Sequence, residues 1–166
     1  MKNKFSVLKK VSFLLSLAFM TMPVFSQSKL LVGSWRLTAA DKILPDGRQV
    51  ADYGEAPRGI AIFAANGRYV VEIFQTDRIK LASADHTKGT SKEYKDTVLK
   101  ISCHFGTYAV DEAKGTITFH IDRASFPDWD ETTSVRTFTL EGDKLAWQVP
   151  PRPDGSIPVS VFSRIP

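Results

Sequence analysis

The chain has 166 residues, and its 22 lysines and arginines against 18 aspartates and glutamates give a formal charge of +4. Four of the basic residues lie in the first ten positions and the first acidic residue is Asp41, so the chain from Gln27 onward carries 18 basic and 18 acidic residues. Nucleic acids and anionic membranes attract proteins with a strong positive field, and a chain without net charge argues against both as partners.

The N-terminal 26 residues have the three-part layout of a secretory signal peptide. A lysine-rich start is followed by an apolar run over residues 11–19 and a short tail that ends at Ser26. The run is shorter than the roughly 20 apolar residues that a transmembrane anchor needs. We therefore expect cleavage before Gln27, export to the periplasm or the extracellular space, and one mature domain over residues 27–166.

The chain has a single cysteine, Cys103, which bears on the form of the exported protein. It lies far from the apolar run, so no cysteine directly after that run can carry a lipid, and we expect a soluble protein rather than a lipoprotein. One thiol cannot form an internal disulfide even in an oxidising compartment. Stability must therefore come from the core, and a domain of roughly 140 residues is large enough to build one.

Short β-rich segments separated by glycine turns dominate the chain after residue 30. Pairs such as Asp46-Gly47 and Asn66-Gly67 supply the positive φ angles that tight hairpins require. The pattern predicts eight strands, or nine with a weak second one, over residues 34–40, 43–50, 58–64, 69–76, 105–111, 116–122, 134–141, 144–149 and 157–164.

One stretch interrupts the β pattern between the fourth and fifth predicted strands. Its apolar residues Tyr94, Val98 and Ile101 have helical spacing. Thr90 and Glu93 form a capping box, in which each side chain can satisfy a backbone donor at the helix start. The sequence therefore predicts one helix of about three turns that begins at Thr90 and includes Cys103.

The turns also predict the register of two hairpins. A two-residue turn at Gly142-Asp143 places Phe138 opposite Trp147 and puts an apolar face inward, with Arg136 as its only charge. A two-residue turn at Asn66-Gly67 predicts in the same way a shared face for Ile60, Ile62, Val71 and Ile73.

An antiparallel meander of this length can pack as a sandwich or close into a barrel, and strand spacing leaves both open. The segment Gly33-Ser34-Trp35 matches the Gly-x-Trp motif that opens lipocalins and related calycin barrels. Arg164 falls in the last strand, where those families place an arginine over this tryptophan. Further phrases follow in family order: Tyr53-Gly-Glu-Ala-Pro-Arg-Gly59, Asn66-Gly-Arg-Tyr69, His104-Phe-Gly-Thr-Tyr108, Thr118-Phe-His120, Ser125-Phe-Pro-Asp-Trp129 and Leu140-Glu-Gly-Asp143.

With these motifs the chain resembles the bacterial lipocalin-like domain family over nearly all of residues 30–165. The resemblance implies an antiparallel meander of eight or nine strands closed into a barrel around a cavity. It also implies that Gly33, Trp35 and Arg164 close one barrel end, with a cation–π contact of about 0.5 to 2 kcal/mol. The members are mostly uncharacterised, so the resemblance carries little mechanism. The predicted helix lies mid-chain, whereas lipocalins place theirs after the last long strand.

Histidines are the first candidates for catalysis or for binding a metal. The turn after the fifth predicted strand places His120 near Thr107 or Tyr108, which leaves His104 about 10 Å or more away at roughly 3.3 Å per residue. The chain has no His-x-His, His-Glu-x-x-His or Cys-x-x-Cys spacing. We therefore predict neither a metal nor a cofactor. If the protein is an enzyme, its acid–base groups are His104, His120 and Asp122.

Arg136 is the most informative single charge, because it shares the inward face of Phe138 and Trp147, where an uncompensated guanidinium is costly. It must reach a barrel end, pair with an acid or meet an anionic ligand. Tyr108, Phe138 and Trp147 with Arg136 as the polar anchor would make a pocket for a hydrophobic carboxylate.

Phe126 and Trp129 interrupt the strand rhythm in a segment that predicts a loop. This loop either forms a lid over the cavity or caps the barrel end, and both aromatics join the predicted ligand site.

Three functions fit the sequence. The first is non-covalent binding of a small hydrophobic or amphipathic molecule inside the barrel. The second is an enzyme of isomerase, cyclase or hydrolase type acting on a hydrophobic molecule, and the third is an envelope-associated module with a filled core. A cavity separates the first two from the third. Histidine and carboxylate groups converging in it would favour the enzyme, whereas apolar walls with one charged anchor would favour binding.

Overall fold

The structure is a computed structural model that describes residues 29–166, so the predicted signal peptide and its cleavage site lie outside the described residues. Nine strands and one α-helix make up most of this part of the chain. In chain order they are β1 (Gly33–Ile43), β2 (Gln49–Ala51), β3 (Arg58–Phe63), β4 (Arg68–Phe74), α1 (Ser91–Leu99), β5 (Ile101–Asp111), β6 (Thr116–Ala124), β7 (Thr133–Glu141), β8 (Lys144–Gln148) and β9 (Ile157–Arg164).

The sheet closes on itself, because β1 pairs with both β3 and β9. Strands β1 and β3 to β9 thus form an eight-stranded antiparallel barrel, and β2 is an extra short strand on the end of β1. Closure leaves no long unpaired edge in the barrel. The predicted fold class is confirmed, including the single helix between the fourth and fifth strands.

One end of the barrel is sealed around Trp35, which is fully buried. Its Nε1 donates to the carbonyl of Leu31 at 2.8 Å, and the guanidinium carbon of Arg164 lies 4.1 Å from the ring centroid. Arg164 also donates from Nη1 to the carbonyl of Val32 at 2.9 Å. Gly33 has a φ of +129°, and a Cβ there would lie 3.2 Å from this Nη1. A glycine therefore lets the backbone pass beneath the guanidinium.

Above Trp35 the barrel interior is filled with aromatic side chains. Phe63, Phe119, Trp147 and Phe162 are all buried, with ring centroids 4.4 Å apart for Trp147 and Phe162 and 5.8 Å apart for Phe119 and Trp147. Their contacts are edge-to-face or tilted, as aromatic quadrupoles favour. This half of the interior is a packed core.

The β7–β8 hairpin has the predicted register. Glu141 faces Lys144 and Phe138 faces Trp147, and Trp147 is buried with its neighbour Leu145. The face that the sequence predicts as inward does point inward, as expected where burial of one face selects the register.

The β3–β4 hairpin differs from its predicted register by one residue. Ala64 N donates to Arg68 O at 2.8 Å, so the loop has three residues and ends on Gly67, whose φ is +80°. A type I turn followed by a left-handed glycine is a common alternative to the two-residue turn. The prediction that Ile60, Ile62, Val71 and Ile73 share one face is therefore wrong, and Ala61 pairs with Val71.

Helix α1 begins as predicted and ends early. The Thr90 hydroxyl accepts from Glu93 N, and the Glu93 carboxylate accepts from Thr90 N, which confirms the capping box. The chain enters β5 at Ile101, so the prediction that Cys103 is helical and that His104 precedes the strand is wrong. Because β5 pairs with the whole of β4, ladder hydrogen bonds override the local helical spacing.

Within residues 29–166, no helix combines the length and apolar character required to cross a membrane.

Candidate functional site

The barrel contains a cavity of about 320 Å³ at the end opposite to Trp35. Small residues face inward at this level, among them Ala40, Ser134 and Ser160, whereas aromatic rings fill the other end. The cavity therefore exists because the inward-facing side chains are small at this end of the barrel and large at the other. The lining residues are Ala40, Asp41, Asp52, Tyr53, Ile73, Ser102, His104, Ile121, Trp129, Thr132, Ser134, Arg136, Val149, Pro150, Pro151, Arg152, Pro158, Val159 and Ser160.

Four polar side chains at the enclosed end of the cavity form one hydrogen-bonded cluster, which we call the polar floor: Tyr69, His104, Ser134 and Arg136. His104 is 2% exposed and Arg136 is 7% exposed. The Tyr69 hydroxyl lies 2.9 Å from His104 Nδ1, and His104 Nε2 lies 3.1 Å from Arg136 Nη2. Arg136 Nε donates to the Ser134 hydroxyl at 3.3 Å. Tyr69 lies on β4, His104 on β5, and Ser134 and Arg136 on β7. Strand β6 lies between β5 and β7 in the sheet.

Arg136 is buried without a carboxylate partner. Among residues 29–166 its hydrogen-bond partners are Ser134 and His104, and no acidic oxygen lies within 4.0 Å of its guanidinium. Its guanidinium carbon lies 4.6 Å from the Phe119 ring centroid and 5.7 Å from that of Trp147. Burial lowers the pKa of Arg136 to about 10, so the group stays charged at neutral pH in an unfavourable environment.

His104 is held as a neutral imidazole. Burial, together with the charge of Arg136, lowers the pKa of His104 to about 3. Burial also raises the pKa of Tyr69 well above its ordinary value. The polar floor therefore carries one positive charge, on Arg136, throughout the physiological pH range.

An ion-pair cluster ties two loops together beside the cavity. Arg152 donates to both carboxylate oxygens of Asp52, at 3.2 and 2.6 Å, and Lys42 Nζ lies 3.1 Å from the same carboxylate. Burial by itself would raise the pKa of Asp52, but the hydrogen bonds and charges of Arg152 and Lys42 outweigh it and hold the pKa below its ordinary value. The carboxylate of Asp52 is thus already paired with two cationic side chains.

The aromatic loop between β6 and β7 contributes one wall. Trp129 lines the cavity and is 38% exposed, and its ring centroid lies 5.1 Å from that of Phe126. The Trp129 carbonyl accepts from the Thr132 hydroxyl at 2.6 Å, which anchors the loop to the start of β7. Trp129 is therefore both a wall of the cavity and accessible to solvent.

The structure divides the six predicted ligand-site residues between two regions. Arg136 and Trp129 line the cavity, and Phe126 packs against Trp129. The others lie in or against the packed core: Tyr108, Phe138 and Trp147. Inward orientation was predictable for this second group, but the level at which each side chain sits along the barrel axis was not.

The three acid–base candidates do not meet in the cavity, because His104 lines it whereas His120 and Asp122 lie together on the outer face. His104 faces inward at the polar floor, whereas His120 is exposed on the outside and shares a hydrogen bond with Thr133 at 2.9 Å. Asp122 also faces outward and pairs with Arg68 at 2.8 Å. In the described part of the chain, no group of three or more His, Cys, Asp or Glu side chains is arranged to hold a metal ion.

Sequence reasoning missed much of the cavity wall. Ser134 lies two residues before Arg136, and Ser102 two residues before His104, so strand alternation could have placed both in the lumen. No sequence signal identifies the contributions of loops, such as Tyr53 and Pro151, because they depend on how the loops fold over the barrel.

A closed eight-stranded antiparallel barrel that is packed at one end and holds a cavity at the other belongs to the class of small up-and-down β-barrels. The family model described as "Lipocalin-like domain" matches residues 32–163. The chain therefore belongs to the lipocalin-like domain family. No curated protein matches the sequence.

Two solved structures are similar to the chain. A lipocalin-like protein from Bacteroides uniformis ATCC 8492 is 15% identical, with 81% of this chain and 98% of that chain covered and a TM-score of 0.42. A mutant of the fluorescent protein UnaG is 14% identical, with 82% of this chain and 96% of that chain covered and a TM-score of 0.38.

Proposed function

We propose that the protein is exported and binds, non-covalently, a small amphipathic molecule with an apolar body and an anionic head group such as a carboxylate. The single observation that carries this proposal is the charge of Arg136. It is buried, it lines the cavity and no carboxylate of residues 29–166 pairs with it. A buried charge of this kind is stabilised by a partner of opposite sign, and an anionic ligand supplies one.

The walls of the cavity support an apolar body for this ligand. Ile73, Ile121, Val149 and several prolines line it, and its volume of about 320 Å³ lies in the lower part of the range of small-molecule sites, about 300 to 1,000 Å³. Such sites combine apolar walls with a few oriented polar groups. A small molecule with one anionic group fits this composition.

The exposure of the lining residues supports an orientation. His104 and Arg136 are almost fully enclosed, whereas Trp129 is exposed to solvent. The head group therefore lies deep, at the polar floor, and the apolar body extends towards Trp129. Asp52 lines the cavity but is already paired with Lys42 and Arg152, so it does not compete for Arg136.

Titration calorimetry with decanoate and decanol tests this function. The two compounds have the same alkyl chain and differ in the charge of the head group. We expect one molecule of decanoate to bind per chain, more tightly than decanol. Equal affinity for both compounds, or no binding of decanoate, would contradict an anion-anchored site.

Native mass spectrometry of the protein purified from its own host is the complementary measurement. We expect a co-purifying small molecule that is released by acid, because protonation removes the charge of a carboxylate head group. A released molecule without an acidic group would contradict the proposed ligand class.

Export is the second part of the proposal, and it rests on the charge and apolar pattern of residues 1–26. N-terminal sequencing of the protein from its native compartment tests it. We expect the exported chain to begin at Gln27, and a chain that keeps Met1 would contradict the proposed cleavage.

A further inference from the structure

His104 forms hydrogen bonds with both Arg136, the buried charge of the cavity, and Tyr69 on the neighbouring strand β4. It lies on β5 and is 2% exposed, with one hydrogen bond on each ring nitrogen. The titratable or charged side chains that contact it in the described part of the chain are Tyr69 on β4 and Arg136 on β7. The Phe119 ring from β6 packs at 5.8 Å between centroids.

The hydrogen-bond partners determine the tautomer of His104. A guanidinium has donors only, so the 3.1 Å contact with Arg136 Nη2 requires His104 Nε2 to accept. The ring proton of the neutral imidazole is then on Nδ1, and it is donated to the Tyr69 hydroxyl oxygen at 2.9 Å. In a doubly protonated ring, the Nε2–H donor would face the Nη2–H donor of Arg136, and two positive charges would lie side by side in a buried site.

The hydrogen bonds to Ser134 and His104 fix the orientation of the Arg136 guanidinium and leave one of its nitrogens without a partner among the described residues. Ser134 holds Nε and His104 holds Nη2, while Nη1 has no hydrogen bond to residues 29–166. If Nη1 were inaccessible to solvent, it would be a buried polar atom without a hydrogen-bond partner. Among the described side chains, the only such atom is Nε1 of Trp147. The unbonded Nη1 is therefore not sealed off, and because Arg136 lines the cavity, a ligand in the cavity can reach it.

We propose that His104 is a positioning residue that orients Arg136 and thereby sets the preference of the cavity for anionic over neutral ligands. This inference rests on the proposed function, because the preference concerns the same cavity. The neutral Nδ1–H imidazole accepts from one side of the guanidinium and leaves the other for the head group of the ligand. A histidine in a binding site ordinarily suggests a pH switch, but here it acts as a fixed acceptor.

Nitrogen NMR of the histidine rings tests the tautomer in the protein without ligand. We expect the His104 signals of a neutral ring protonated at Nδ1, unchanged between about pH 5 and pH 9. The exposed His120, on the outer face of the barrel, provides an internal reference signal. Protonation of His104 at Nε2, or its conversion to the charged form within this range, would overturn the proposal.

Three variants test the effect on ligand preference: His104→Leu, His104→Gln and, as the matched control on the outer face, His120→Leu. We expect His104→Leu to weaken decanoate binding about tenfold and decanol binding less than about threefold. His104→Gln restores part of the decanoate affinity, because its amide oxygen can accept from Arg136. The control should bind both compounds as the unmodified protein does.

The outcomes separate this inference from the proposed function. If Arg136→Met abolishes the preference for decanoate while His104→Leu keeps it, the anionic site stands and the positioning role of His104 is refuted. If the unmodified protein shows no preference, both proposals are refuted. A purely structural role predicts equal losses for decanoate and decanol and no rescue by glutamine. Should His104→Leu fail to fold, the glutamine variant and the NMR measurement still decide the question.

Discussion

Replacement of Arg136 by methionine separates the structural contribution of this side chain from its contribution to binding. Burial lowers the pKa of Arg136 to about 10, and one pKa unit corresponds to about 1.4 kcal/mol. Relative to the ordinary value near 12.5, the charged group therefore costs the folded protein about 3 kcal/mol. Because the folded-state pKa of this base is lowered, the cost is present at neutral pH and disappears only in strong alkali.

Methionine removes this cost but also removes favourable contacts. The cation–π contact with Phe119 at 4.6 Å contributes about 0.5 to 2 kcal/mol. Without Arg136, the buried Nε2 of His104 loses its donor, which costs about 1 to 3 kcal/mol. The gain and the losses nearly cancel, so we expect the free energy of unfolding of Arg136→Met without ligand to change by less than about 2 kcal/mol in urea titrations.

The binding of an anion should change far more. A hydrogen bond to a charged group contributes about 1.5 to 3 kcal/mol, which corresponds to roughly a 10- to 150-fold change in Kd. We therefore expect Arg136→Met to lose this factor for decanoate and to keep its affinity for decanol within about threefold, as measured by calorimetry at neutral pH.

The outer-face variant Arg68→Met is the matched control, because Arg68 is paired with Asp122 outside the barrel. It should leave both affinities unchanged. The reasoning fails if Arg136→Met weakens decanoate and decanol by the same factor, or if it unfolds the protein while the control does not.

Two further substitutions test the barrel itself. Arg164→Met removes the cation–π contact with Trp35 and two hydrogen bonds to backbone carbonyls, so we expect a loss of about 2 to 4 kcal/mol in urea unfolding. Arg48→Met breaks only an exposed ion pair and should cost less than about 1 kcal/mol; equal losses would contradict a sealing role for Arg164. Gly106→Ala places a Cβ 1.9 Å from the backbone oxygen of His120, and we expect a loss of more than about 2 kcal/mol, whereas a change below 1 kcal/mol would show that β5 and β6 can separate at this point.

Local patterns in the sequence were sufficient for much of the fold. Strand alternation and glycine turns predicted the eight strands of the barrel, whereas the weak second strand predicted over residues 43–50 is reduced to Gln49–Ala51. The reciprocal contacts of Thr90 and Glu93 were predictable because both partners lie within one helical turn. The Gly142-Asp143 turn gave the correct β7–β8 register, since turn length and the apolar face agree there.

Local patterns failed where distant segments compete for the chain. The helical spacing of Tyr94, Val98 and Ile101 extends into β5, but pairing with β4 takes over from Ile101 onward. At Asn66-Gly67 the two possible turns differ by one residue, and the buried face of the completed barrel selects the longer loop. In the first case the hydrogen bonds that decide the structure join β4 and β5, which are far apart in sequence. In the second case they belong to one of two alternative local turns.

The candidate site shows the same division. From its own strand, Arg136 is predictable as an inward charge that needs a partner, because alternation places it beside Phe138 and Trp147. Closure of the barrel decided that it meets His104 rather than an acid, and that Trp147 packs in the core while Trp129 reaches the cavity. A sequence determines which face of a strand is buried, because side chains alternate along it. Which side chains share one level of the lumen depends on strand stagger and loop packing, and these are set only when β1 joins β9.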